Sequence, residues 1–431
     1  MSSRSIKVDM VARVEGEGAL DIEMDGNEIR HVHLKIFEPP RFFEAFLQGR
    51  HYSEVSDIVA RICGICPVAY QMSAVHAFEK LFEVKLDPQV RKLRRLLYCG
   101  EWIESHALHI YMLHAPDFLG FDSALEISKT APEVVKRGLK LKKVGDAILE
   151  TIGGRAIHPV SLCVGGFTRV PKKEVLAELL GDLYWARDAA VETVHWVAGL
   201  DFPDFSQSYT FMSLKHEDEY PFNEGDIFVS GAEDDAQIPV TDYEAHFEES
   251  HVAHSNALQC HYHSKPYLTG PLSRLNNNRD NLHPLSSSTL DVTGLKLPLN
   301  NPFHGIVARS VEMLEAIEEA IDIIEAYDPP AKPVAEYEVR EGSCMAATEA
   351  PRGVLYHRYR VNAEGLIEEA KIVPPTSQNQ SRIEEDIRML LPSIIDENDE
   401  KIAHECERVI RCYDPCISCA THFLKLSVTR N

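Results

Sequence analysis

Two cysteine pairs of identical spacing, Cys63-Gly64-Ile65-Cys66 and Cys416-Ile417-Ser418-Cys419, carry the clearest chemical potential in this chain. Together they supply four soft thiolates, a complete donor set for one thiophilic metal site, provided the chain folds so that its two ends meet. A zinc ribbon keeps its pairs about 15–20 residues apart. Here one pair lies near each end, so a small self-contained zinc knuckle is disfavoured. A structural zinc held by all four thiolates is the alternative that the donor set alone leaves open.

The other six cysteines, Cys99, Cys163, Cys260, Cys344, Cys406 and Cys412, show no CxxC spacing. They read as buried thiols in a reducing compartment, and no iron–sulfur cluster is expected within this chain. Glu15, in Arg13-Val14-Glu15-Gly16-Glu17-Gly18, could accept a proton if the fold set it beside a metal thiolate. Taken alone it is an ordinary strand glutamate, and Glu17 is its neighbouring alternative. Arg352, in Ala350-Pro351-Arg352-Gly353, offers a guanidinium that stays charged even where water is excluded. Its simpler role would be an ion pair with a nearby acid such as Glu349.

These groups must be positioned by an α+β, mainly α, chain. Residues 5–37 alternate apolar and polar around Asp25-Gly26 and read as antiparallel strands, an N-terminal β region over 1–40. Helical spacing then runs through 88–114, 132–152 (Val135, Leu139, Ile148, Ile152), 172–200 (Val175, Leu179, Val191, Val194) and 303–326. This predicts a central bundle of long helices over 44–330, coated by an irregular insertion at 201–300. A second β region, 335–375, contains a hairpin turning at Asn362–Gly365, and helices at about 381–391 and 399–412 deliver the last cysteine pair. A metal site built from both ends predicts one interlocked body over 1–431.

The formal charge of −23 disfavours nucleic acid or an anionic membrane as partner. There is no apolar run long enough to span a bilayer and no apolar signal segment near the start, so a cytoplasmic protein is expected. A strand-GxGxxG-helix fingerprint is missing, so NAD is not expected to bind this chain.

Arg61-Ile62-Cys63-Gly64-Ile65-Cys66-Pro67 and Asp414-Pro415-Cys416-Ile417-Ser418-Cys419-Ala420-Thr421-His422 resemble the two signature boxes of the large, catalytic subunit of nickel-iron hydrogenases, and the likeness spans nearly the whole chain. The resemblance implies that fold and the reversible oxidation of H2 to protons and electrons. It further implies Cys63 and Cys416 as terminal nickel ligands, with Cys66 and Cys419 bridging nickel to an iron that carries CO and cyanide. Glu15 matches the family's N-terminal RxEG box, as proton acceptor, and Arg352 its arginine above the open metal position. Glu44, the Ile372 carbonyl and His422 match a buried magnesium site, for which iron is conceivable. The implied partners are an iron–sulfur small subunit, diaphorase subunits linked to NAD(P), and a maturation protease that cuts after His422 to remove 423–431. Tyr70, where periplasmic relatives carry histidine, places the chain with the cytoplasmic, nucleotide-coupled or sulfhydrogenase-type branch. His158, in Gly153–Pro159, resembles a segment near the electron exit, though a hydrogen-bonded structural histidine is its simpler reading. Respiratory complex I contains a non-catalytic relative without the cysteine ligands; all four are present here.

Overall fold

Alternating burial folds the N-terminal segment into an antiparallel sheet of β1 (Ser3–Val8), β2 (Gly18–Asp25) and β3 (Glu28–Ile36), in that order. Leu20, Ile22 and Met24 point inward while the residues between them face outward, the period of a half-buried strand. The hairpin turns at Gly26-Asn27, one residue later than the expected Asp25-Gly26, with Gly26 at φ 62°. The structure is a computed structural model that describes residues 3–231 and 235–422. The expected tail, 423–431, lies outside the described residues.

The helical body begins with the short α1 (Phe43–Leu47), followed by α2 (Pro67–Leu81), α3 (Pro88–Leu108), α4 (Pro132–Gly153) and α5 (Leu180–Ala198). Proline stands in the first turn of α2, α3 and α4, where its missing N–H has no intrahelical partner to lose. The Asp87 side chain caps α3 by accepting the Gln89 amide. Beyond Leu108 the chain continues as a π-helical turn, His109–His114.

Two of the expected stripes are corrected. Leu139 is 53% exposed, whereas the buried face of α4 runs through Gly138, Leu141, Val144, Gly145 and Ile148. Glycine is used there because the helices touch backbone to backbone: a Cβ on Gly145 would come within 2.6 Å of the Gly100 carbonyl oxygen of α3. The 172–200 stripe is two helices, Lys173–Ala177 and α5, and Val175 is exposed.

The insertion at 201–300 is also more regular than expected. It contains β4 (Phe211–Lys215), β5 (Asp226–Ser230), β6 (Ala236–Ile238), β7 (Phe247–His251), β8 (Leu258–Tyr262) and β9 (Leu268–Thr269). One four-stranded sheet runs β9-β4-β5-β6, and β7 pairs with β8. These strands bury Met212, Leu214, Ile227, Val229 and Phe247 in a second cluster shared with Ala347, Val354, Tyr356 and Val373 of the later β region. They escape a sequence reading because each is too short to show a long period.

After α6 (Pro271–Asn277) comes α7 (Gly305–Glu325), which packs against α3 and α5 and is buried almost all round. The second β region has three strands, β10 (Gly342–Ala350), β11 (Gly353–Val361) and β12 (Ile367–Val373). β10 and β11 are joined by Pro351-Arg352 alone, so Arg352 sits at a hairpin tip. Next come α8 (Pro375–Ile394), which starts earlier than the expected 381, α9 (Asp399–Cys412) and the single turn α10 (Ile417–Ala420). α8 lies across β3 and β8 and touches α10, joining the N-terminal sheet to the last cysteine pair.

Candidate metal centre

The first cysteine pair is presented by a break between helices. Cys63 is extended, and Cys66 stands just before Pro67 opens α2. The free amides of that helix start are met by Glu101 of α3, whose carboxylate accepts Val68 N at 2.6 Å and Ala69 N at 3.2 Å. The second pair follows a turn at Asp414, which takes φ 50°, and Pro415. Cys416 N then donates to Thr376 Oγ1 at 2.9 Å, and Ile417 N to Glu15 O at 2.9 Å, so Glu15 and Cys416 pair as a short parallel bridge.

All four Sγ atoms converge, each within 4.8 Å of the others, and all four cysteines are buried. Cys63 and Cys416 are 3.5 Å apart, Cys66 and Cys419 3.7 Å, and Cys416 and Cys419 2.8 Å. Hydrogen bonds from Cys416 and the other two thiols hold Cys63 well below the usual thiol range, whereas burial pushes Cys416 well above it. Four buried thiols whose sulfurs all converge, with Cys63 Sγ also accepting the Ile65 and Cys66 amides at 3.3 Å each, fit a soft cation that replaces their protons.

Around this cluster the structure gathers several of the expected residues. Glu15 Oε2 lies 3.1 Å from Cys416 Sγ and accepts Ser418 N at 3.1 Å, whereas Glu17 is exposed. Arg352 is buried, its Nε donating to Asp414 O at 2.8 Å and its Nη2 to Asp414 Oδ1 at 3.1 Å. Its Nη1 is enclosed with no hydrogen-bond partner among the described residues. Burial opposes the guanidinium's charge, but Asp414 and the nearby Cys416 more than offset that, so it stays protonated. Glu349 is not its partner: that carboxylate pairs at 2.9 Å with Arg274, which also holds Glu312.

The second set also comes together. Glu44 Oε1 accepts Ile372 N at 2.8 Å and lies 3.9 Å from His422 Nδ1. His422 is buried and neither ring nitrogen has a hydrogen-bond partner among the described residues. Burial pushes Glu44 up to about 7 against the Ile372 hydrogen bond. A half-desolvated carboxylate beside an orphaned imidazole fits a small cation. His158 Nδ1 lies 2.8 Å from Ala60 O, three residues before Cys63, and among the described residues it makes no hydrogen bond to the cysteines themselves.

Other residues of the centre were not singled out from sequence. Asp414 lies inside the second box without an assigned role, Thr376 bonds the Cys416 amide, and Glu101 and Arg41 hold backbone beside the cysteines, all from segments that no spacing connects to them. Tyr70, the sequence's marker of branch, lies buried with its ring beside that of His357.

The nickel-dependent hydrogenase family matches residues 41–149 and 261–422, which hold both cysteine pairs. The chain belongs to that family. Among relatives of the hydrogenase, sulfhydrogenase 1 subunit alpha of Pyrococcus furiosus is 34% identical over 98% of each chain. The NAD-reducing hydrogenase HoxS subunit beta of Cupriavidus necator is 28% identical over 98% of this chain and 95% of its own. A crystal structure of an NAD+-reducing [NiFe]-hydrogenase in the H2-reduced state superposes with a TM-score of 0.87 and 26% identity, covering 97% of this chain and 99% of that one. The α+β hydrogenase fold and the oxidoreductase class that the boxes implied are therefore those of this chain.

Proposed function

We propose that this hydrogenase chain is the subunit in which H2 is oxidised to, or formed from, two protons and two electrons. The observation that carries the reading is the convergence of four buried thiols with the Glu15 carboxylate 3.1 Å from one of them. Cys63, Cys66, Cys416 and Cys419 would hold nickel, with Cys66 and Cys419 shared by an iron bearing CO and cyanide. Bound there, such a pair supplies a soft, redox-active centre at which dihydrogen is cleaved or assembled.

The surrounding residues handle the proton. Glu15 Oε2 accepts it at Cys416 Sγ and returns it in the reverse direction, and Ser418 N–H keeps that oxygen aimed at the sulfur. Arg352, pinned by Asp414, directs a fixed positive charge toward the thiol cluster from the β10–β11 tip. Glu44 and His422 would hold magnesium or iron against the end of the last box. The Ile372 carbonyl, on the same strand edge as the amide that Glu44 holds, would complete the set.

Electrons would leave through an iron–sulfur small subunit to diaphorase subunits and NAD(P), in a cytoplasmic complex, as the likeness to NAD-reducing hydrogenases suggests. The chain would act as one interlocked unit, because its metal box needs both ends. The test is H2-dependent reduction by the purified complex, assayed in parallel with NAD+, NADP+ and a viologen dye. Reduction of the dye and of one nucleotide supports the reading; no H2-dependent reduction of any acceptor by nickel-loaded complex rejects it.

A further inference from the structure

We propose that Arg41 is a positioning residue that clasps the two cysteine boxes together. One nitrogen of its guanidinium, Nη2, donates to Ile62 O at 2.7 Å and also to Ser418 O. Ile62 immediately precedes Cys63, and Ser418 lies between Cys416 and Cys419. A single side chain from a third segment thus bonds the backbone of both boxes. The backbone around it adds contacts to the second box: Arg41 N donates to Thr421 O at 2.6 Å, and Glu44 N reaches His422 O at 3.5 Å.

The arrangement bears on the metal site because the Cys63–Cys416 and Cys66–Cys419 separations are distances between boxes, not within them. Each box has its own support, Glu101 under the first and Thr376 under the second. Among the described residues neither support hydrogen-bonds the other box, whereas Arg41 bonds both. Its guanidinium packs 5.4 Å from the Phe43 ring centre, and Glu38 Oε1 lies 4.0 Å from its Nε. The other oxygen of Glu38 accepts Ser418 Oγ at 3.1 Å, which steadies the same turn. Arginine suits this task because its planar fork is rigid and cannot lose its charge. The proposal rests on the four-thiolate reading of the centre.

Full-length Arg41→Met and Arg41→Lys variants would test it by two measurements. One is amide hydrogen exchange of peptides covering 414–422 in the metal-free chain, and the other is the rate of nickel loss from the loaded complex to EDTA. Arg41→Met should speed exchange there at least tenfold while α3 and α7 keep their protection, and should speed nickel loss at least tenfold. Arg41→Lys, which retains charge and enough N–H donors for both carbonyls, should fall between the two. Exchange and nickel loss within twofold of the unsubstituted protein would overturn the proposal. So would loosening spread equally over α3 and α7, since Arg41 would then support the whole fold. If the unsubstituted chain holds no nickel, the four-thiolate reading fails, and the metal-free exchange still decides whether Arg41 joins the boxes.

Discussion

Glu15 Oε2 and Cys416 Sγ lie 3.1 Å apart although 401 positions separate the residues. The contact is fixed by backbone: Ile417 N donates to Glu15 O, and Ser418 N to the same carboxylate oxygen that faces the sulfur. Glu15→Gln keeps the size of the side chain and removes its capacity to take a proton. H2/D+ exchange should fall by about 100-fold or more with nickel content unchanged. Exchange within twofold of the unsubstituted enzyme would place the proton acceptor elsewhere.

Arg352→Lys tests the charge above the thiols. A lysine ammonium cannot make the paired contacts with Asp414 O and Oδ1 from one planar group. Turnover should drop about tenfold or more at equal nickel content. Equal turnover would reduce Arg352 to a structural partner of Asp414.

Glu315 of α7 gives a pH dependence unconnected with the metals. Burial pushes its carboxyl up to about 8, against the nearby Ser286 hydroxyl and the hydrogen bond from the His283 amide, with Glu319 raising it further and Arg95 lowering it. The folded chain therefore binds a proton that the unfolded chain releases between pH 4.5 and about 8. The stability Glu315 contributes is full below that window and is lost as pH rises through it, with a slope of at most about 1.4 kcal/mol per pH unit. Glu315→Gln should flatten this part of the unfolding midpoint against pH. A profile parallel to that of the unsubstituted protein would show that Glu315 is ionised throughout.

Maturation is tested by mass. The His422 side chain is buried beside Glu44, where the cut that the second box implies would leave it as the chain's end. Active enzyme should end at His422, lighter than the full sequence by the nine residues Phe423–Asn431. An intact mass that includes them, measured on active protein, would contradict cleavage.

The cysteine pairs were legible because each is a compact word, and the long helices because α3 and α7 repeat apolar residues over several turns. Glycine hid the inner face of α4, since close backbone contact at Gly145 leaves no apolar side chain to read. Short strands such as β4 and β9 carry no period, and β10, rich in alanine, lacks the usual β-branched signal. Residues that join the site from separate segments were the least legible. Thr376 meets Cys416, and Arg41 meets Ile62 and Ser418, only once the fold exists.

Metal analysis of the purified, active protein and of its Cys63→Ser and Cys416→Ser variants bears most directly on the four-thiolate hydrogenase centre. Hydroxyls are poor substitutes for soft thiolates. The unsubstituted chain should contain about one nickel, and each variant should lose both the nickel and H2 activity. Stoichiometric zinc with no nickel in the unsubstituted protein, or full nickel occupancy and activity in either serine variant, would contradict it.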